Sequence, residues 1–199
     1  MGRPTKESYR ALLVVAEQQQ GMFTARQAEA VGYSDAARTY HAKSGNWVRM
    51  ARGIYRLADY PFTDRPDLAV WSLWSRDIHD VPQGVYSHQT ALSIHELTDL
   101  QPAKLHMTVP KRFRRRSIIP GILVLHVADL TEEDVMDMEG YRVTRPLRAI
   151  VDLLRNQEVH PEILLHGLRE GLHNGLITLD EARRARDAGL LLELQDELR

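Results

Sequence analysis

The sequence predicts an α+β protein with two domains. Residues 1–60 are expected to form a winged helix-turn-helix, and residues 61–199 a mixed α/β second domain that ends in helices. The first observation behind this is element order: helix, short helix, glycine turn, helix and basic hairpin. The second is a break at residues 59–66, where two prolines stand among polar residues, as is typical of a linker. The third is charge: residues 1–60 carry nine Lys/Arg against five Asp/Glu, and the remainder carries seventeen against twenty-two.

The first two helices are delimited by capping patterns. Thr5 can cap the first helix, and the run Gln18–Gln20 followed by Gly21 closes it. Thr24 and Gln27 have the spacing of a capping box, in which each side chain bonds the backbone amide of the other residue. The pattern therefore predicts a second helix that begins directly after Thr24.

The third helix and the hairpin follow at once. Ser34 can cap a helix that runs to Ser44, with Gly45 as its left-handed terminator. Two short strands are predicted at 47–51 and 54–57, joined by a turn at 52–53. A helix that precedes such a hairpin is the recognition helix of winged-helix proteins.

One side of this third helix is expected to pack inward and the other to face DNA. The inward set is small or aromatic: Ala37, Tyr40, His41 and Ser44. The outward face is short and polar, as reading base edges in a major groove requires, and Arg38 is expected to make a bidentate contact with guanine. On the hairpin, arginines are expected to hold phosphates or to enter the minor groove. The residues assigned to DNA are Arg26, Gln27, Ser34, Asp35, Arg38, Thr39, Lys43, Arg49, Arg52 and Arg56.

The second domain mixes helix and strand patterns. Helices are predicted at 68–78 and 87–97, and strands at 105–109, 122–126 and 141–144. Apolar residues at 147, 150, 151 and 154 form a helical stripe, and a second capping box at 178–181 opens the last helical region.

A basic cluster interrupts this otherwise acidic domain. Six cations fall within thirteen residues: Lys104, Lys111, Arg112, Arg114, Arg115 and Arg116. Two interpretations remain open. The cluster is either a solvated loop or a second polyanion contact, made to DNA or to an RNA or nucleotide.

Neither a cofactor nor a metal is predicted. The chain has no cysteine, which excludes thiolate zinc sites and disulfides and fits a reducing cytoplasm. The pairs His88/His95 and His166/His173 are seven residues apart, about 10 Å along a helix, which is too far to share one ion. The apolar runs are too short to cross a bilayer and no signal peptide is recognisable, so we expect a soluble cytoplasmic protein with no membrane partner.

Several segments together resemble the AbiEi-type antitoxin family. The N-terminal segments are 21–28 (GMFTARQA), 32–34 (GYS), 45–49 (GNWVR) and 51–57 (ARGIYRL). In the second domain the similar segments are 87–92 (SHQTAL), 106–110 (HMTVP), 143–144 (VT) and 150–153 (IVDL). The third helix departs from the family's usual form because it has no large aliphatic residue.

The resemblance implies a DNA-binding antitoxin. Such proteins bind inverted repeats in their own promoter, repress the operon and counteract a toxin of the nucleotidyltransferase class, often without a stable direct complex. The alternative is a stand-alone winged-helix regulator whose second domain binds a ligand or dimerises. An enzyme is not expected. The Glu-x-Lys pattern of metal-dependent nucleases, the phosphate-binding Gly-x-x-x-x-Gly-Lys loop and the Gly-x-Ser-x-Gly elbow are all absent.

Overall fold

The computed structural model describes residues 5–61, 63–115, 117–157, 159–184 and 189. Its contacts divide the chain into two compact units. The first comprises residues 1–84, 113–115 and 137–141, and the second comprises 85–112, 116–136 and 142–199. By this measure the first unit runs past residue 60. The division of the chain into folding domains of 1–60 and 61–199 stays a prediction.

The first unit confirms the predicted winged helix-turn-helix. Its elements are α1 (Lys6–Glu17), β1 (Met22–Thr24), α2 (Ala25–Ala30), α3 (Asp35–Lys43), β2 (Trp47–Ala51), β3 (Ile54–Leu57) and α4 (Pro66–Trp74). The strands form an antiparallel sheet in the order β1-β3-β2, so β2 lies at an edge. Strand β1 was not predicted, and α4 packs against this sheet.

The predicted caps position these helices. Thr5 accepts a hydrogen bond from the amide of Ser8, and Thr24 and Gln27 form the complete capping box. Gly45 has the left-handed φ of +79° that closes α3. Because each cap satisfies backbone groups that a helix end leaves unpaired, the helices begin where the sequence pattern places them.

The second unit is built on a mixed sheet with helices packed against it. Its elements, some of whose end residues belong to the first unit, are β4 (Val85–Tyr86), α5 (His88–Ile94), β5 (Leu105–Val109), β6 (Leu123–Val127), β7 (Val135–Met138), β8 (Tyr141–Thr144), α6 (Pro146–Asn156), α7 (Pro161–His173) and α8 (Leu179–Arg184). The strand order is β6-β5-β4-β8-β7, in which β5 pairs with β6 in parallel and with β4 antiparallel. The predicted α+β class is confirmed, and among the described residues the last strand is followed by the helices α6, α7 and α8.

Candidate nucleic-acid interface

Helix α3 is presented on the surface of the first unit by few anchors. None of its residues is fully buried. Ala37 packs against the core, and the ring of His41 stacks on Trp47 with 4.9 Å between centroids and 18° between planes. Burial lowers the pKa of His41, so this ring is neutral at neutral pH. A small side chain and an aromatic stack therefore replace the large aliphatic anchor that the helix lacks.

The exposed face of α3 is a stripe that we call the recognition stripe. It consists of Ala36, Thr39, Tyr40 and Lys43, which are spaced i, i+3, i+4 and i+7. The prediction that Tyr40 packs inward is wrong, since 64% of this residue is exposed. The spacing of these four residues is compatible with one helix face, but the sequence alone does not show which side of α3 packs inward.

The structure gives Arg38 a different role from the predicted one. Its guanidinium pairs with Asp35, and it lies 3.5 Å from the carbonyl oxygen of Ala25 and 3.4 Å from that of Tyr33. Only 15% of its side chain is exposed. These contacts tie α3 to the start of α2 and to the turn before α3, so a contact with guanine would require Arg38 to leave them.

Three other residues assigned to DNA, namely Ser34, Gln27 and Arg26, make hydrogen bonds within the first unit. Ser34 caps α3 by accepting from the amide of Ala37 at 3.3 Å. Gln27 accepts from the Thr24 amide at 2.8 Å, and its side-chain amide exchanges hydrogen bonds with that of Gln19. Arg26 is exposed on α2 and donates to the carbonyl of Ile78.

The hairpin presents two of its three predicted arginines. Arg49 on the edge strand β2 and Arg52 at the turn are both exposed. Arg56 corrects the prediction: it is only 6% exposed and donates to the carbonyl of Tyr60, so it holds the segment after β3. A cationic edge strand and turn therefore belong to the same unit as the recognition stripe.

The basic cluster does not behave as one patch. Lys104, Lys111, Arg112 and Arg114 are exposed, and Lys111 also pairs with Asp129 at 3.4 Å. Arg115 is half-buried over the ring of Trp74, 5.1 Å from its centroid, and donates to the carbonyl of Arg76 at 2.8 Å. Burial and the neighbouring Arg76 lower its pKa. Arg116 lies outside the described residues.

The second unit holds a histidine cluster that sequence spacing did not predict. The ring of His88 stacks on His126 with 3.6 Å between centroids, and Nδ1 of His106 lies 3.0 Å from Nε2 of His126. These three residues come from α5, β5 and β6, so the pairing of β5 with β6 and the packing of α5 on β5 bring them together. Among the described residues, no group of three or more His, Asp or Glu side chains is arranged to hold a metal ion.

A partly buried ion-pair network lies in the same unit. Arg148 donates from Nε to both carboxylate oxygens of Asp152, at 2.9 and 3.0 Å, and a second nitrogen lies 3.1 Å from Asp134. Burial raises the pKa of Asp152 in spite of this partner.

In the described part of the chain, no helix is both long and apolar enough to span a membrane.

Comparisons with known proteins support the predicted resemblance over the first unit. Residues 10–58 match the family model described as a transcriptional regulator, AbiEi antitoxin. A solved structure, the RV2827C protein from Mycobacterium tuberculosis, is similar with a TM-score of 0.49 and 12% sequence identity, over 84% of this chain and 72% of that chain. No curated protein matches the chain. The resemblance to AbiEi antitoxins is thus confirmed for residues 10–58, and that family is a family of transcriptional regulators.

Proposed function

We propose that this chain, whose residues 10–58 match the AbiEi regulators, is an antitoxin that binds inverted repeats in its own promoter and represses its operon. The observation that carries the proposal is an exposed recognition stripe in the same unit as an edge strand and turn that present Arg49 and Arg52. A helix with a polar, accessible face can enter a major groove, while cations beside it neutralise phosphates.

The two sets of residues have different tasks in this proposal. The methyl groups of Ala36 and Thr39 suit thymine methyls, and Tyr40 adds an aromatic surface to the groove contact. Lys43, Arg49 and Arg52 are assigned to phosphates, and such contacts position the protein on the duplex without distinguishing one base from another. Asp35, which directly precedes the stripe, is paired with Arg38, and this pairing reduces the repulsion between its carboxylate and the DNA. In this proposal Thr39 and Tyr40 recognise the bases, in place of the guanine contact first expected of Arg38.

DNA binding is tested by a footprint and a titration on the sequence upstream of the gene. We expect the double substitution Thr39→Ala and Tyr40→Ala to lower the preference for this DNA over a scrambled duplex by roughly tenfold or more, since each base contact is worth about 1–3 kcal/mol. Arg52→Ala should weaken binding to both duplexes alike and reduce the slope of log K against log[salt] by about 0.9.

The matched control is Arg169→Ala, which removes an exposed cation on α7 in the second unit. It should leave both affinity and slope unchanged. A wild-type chain that binds its upstream DNA no better than the scrambled duplex at low salt would refute the proposal.

The exposed part of the basic cluster is proposed as a second polyanion contact. The same titration tests it with Lys104→Gln and Arg112→Gln together, because both side chains are exposed. If both touch phosphates, the salt slope should fall by about 0.9 for each. Removing two exposed cations elsewhere, at Arg169 and Arg183, should not change it. An unchanged slope in the cluster variant would identify the cluster as a solvated loop.

Counteraction of a nucleotidyltransferase-type toxin is the second half of the proposal, and it rests on the family resemblance. Expression of such a toxin, encoded beside the gene, should stop growth when it is expressed alone. Co-expression of this chain should restore growth. Soluble expression of the chain without rescue, together with specific DNA binding, would favour the stand-alone regulator instead.

A further inference from the structure

The first unit contains a cavity that the proposed function does not use. It has a volume of about 620 Å³ and lies between α1, the end of α3, the start of β2 and the segment after β3. Its walls combine aromatic rings with carboxylates: Tyr9, Tyr33, Trp47, Tyr60, Glu17 and Asp59. Neither Lys nor Arg is among the described residues that line it.

The charge of this aromatic–acidic cavity has one sign. Glu17 and Asp59 are its acidic residues, and burial lowers the pKa of His41 in the wall, which favours the neutral ring. Burial is the largest cause that raises the pKa of the Tyr60 hydroxyl, and the negative charges of Glu139 and Glu17 act in the same direction. Anions are therefore disfavoured in the cavity and cations are favoured.

Glu17 lies where it does not stabilise its own helix. It is the last residue of α1, and a carboxylate at this end opposes the helix dipole, typically by about 0.3–1 kcal/mol. A lysine or arginine would be favoured at this position on grounds of stability alone. The carboxylate instead contributes charge to the cavity.

The aromatic walls are fixed by contacts outside the cavity. Gly21 has a φ of +80°, and a Cβ atom there would lie 2.5 Å from the ring of Tyr60, so this ring rests directly on the backbone. The guanidinium of Arg56 donates to the Tyr60 carbonyl, and Arg56 itself does not line the cavity. Trp47 packs against Phe23, which does not line the cavity, with 4.7 Å between ring centroids. Rings held in place lose little entropy when a ligand binds.

We propose that this cavity binds a small organic cation of the alkylguanidinium or alkylammonium class. Aromatic faces attract a cation through their quadrupoles, and carboxylates at the rim neutralise its charge. The alkyl part would lie against the apolar side chains of Leu13 and Leu57, which also line the cavity.

A ligand bound in the cavity should affect the position of α3. His41 and Trp47 line the cavity, and their stacking anchors α3. A ligand that contacts this pair biases the position of the recognition stripe, and by linkage DNA would change the affinity for the ligand by the same factor. This coupling rests on the proposed function, whereas binding of the cation does not.

The test is an NMR titration of the full chain with butylguanidinium and with butylurea, a neutral ligand of nearly the same shape. Butylguanidinium should shift the indole resonance of Trp47 saturably, and butylurea should bind far more weakly. Glu17→Gln and Asp59→Asn should each weaken binding by about threefold to tenfold. Tyr60→Phe, which keeps the ring, should bind like the wild type, and Tyr60→Leu should bind less.

The control is Glu29→Gln, which removes an exposed carboxylate on α2 that does not line the cavity and should leave the affinity unchanged. Equal binding of both ligands, or no shift of Trp47 with either, would overturn the proposal. Adding butylguanidinium to the upstream-DNA titration then separates the two hypotheses. Failure to bind DNA refutes the proposed function, whereas a missing Trp47 shift refutes the cation site.

Discussion

Replacement of Trp47 by alanine is expected to lower the free energy of unfolding of the first unit by about 3–5 kcal/mol. Trp47 is 3% exposed and lies within ring-packing distance of Phe23, Tyr33, His41 and Tyr55. The substitution removes the favourable free energy of burying the indole ring and leaves a cavity. The surrounding rings cannot fill it, because Phe23 and Tyr55 are held in place by the strands β1 and β3. It also removes the surface on which His41 anchors α3.

Urea unfolding followed by far-UV circular dichroism measures this effect without depending on the lost fluorophore. Tyr40→Ala is the matched control, since it removes an aromatic ring of the same unit that is 64% exposed, and it should change stability by about 0.5 kcal/mol or less. A loss below about 1 kcal/mol for Trp47→Ala would mean that α3 is anchored in another way.

The contrast between Trp47 and Tyr40 shows which parts of the interface were predictable. Caps, glycine terminators and the hairpin depend on residues only a few positions apart, so Thr24, Ser34 and Gly45 had the expected roles. The inward or outward direction of a side chain on a short helix depends on what the rest of the chain places against it. The periodicity of α3 was ambiguous because small alanines occur on both of its sides.

Arginines were the least predictable residues of the site. Arg38, Arg52 and Arg56 are the same residue type but have three different environments. Arg38 links α3 to the start of α2, Arg52 is exposed at a turn, and Arg56 is buried and donates to the carbonyl of Tyr60. A guanidinium has five donors and a long stem, so it satisfies distant carbonyls that no local pattern reveals. Charge asymmetry thus predicted which part of the chain carries the candidate interface, but it did not predict the role of each cation.

In the second unit β5, β6 and β8 were predicted, whereas β4 and β7 were not. β5 and β8 have the predicted bounds, whereas β4 is two residues long and owes its conformation to partners from distant parts of the chain. The same long-range pairing assembles the histidine cluster, whose members are far apart in sequence. The helical spacing of His88 and His95 therefore could not have indicated it.

The histidine cluster leads to a second large expected effect, a loss of stability in acid. His88 is 4% exposed, its Nδ1 lies 2.9 Å from the Ser87 hydroxyl and its Nε2 lies 3.1 Å from the Asn156 amide nitrogen. Burial, followed by His126, His106 and Arg148, lowers the pKa of His88 to about 3. A neutral ring is thus required in the folded state, whereas the unfolded chain takes up the proton near the ordinary value of about 6.5.

The direction of the pH dependence follows from this difference. Above the unfolded pKa neither state binds the proton, and the full stability is present. As the pH falls from about 6.5 toward about 3, the unfolded state gains a proton that the folded state refuses, so stability falls by about 1.4 kcal/mol for each pH unit. Below the folded pKa this contribution levels off.

Urea unfolding of the wild type and of His88→Asn between neutral and acid pH tests this prediction. Asparagine is chosen because His88 has a φ of +54°, a left-handed conformation that asparagine tolerates better than most residues. The variant should be less stable at neutral pH but lose less stability on acidification, so the two curves should converge. His173→Asn, at an exposed position on α7, should run parallel to the wild type. If the His88→Asn curve also ran parallel, the acid sensitivity would have to come from other groups, because a side chain that no longer titrates cannot contribute to the slope.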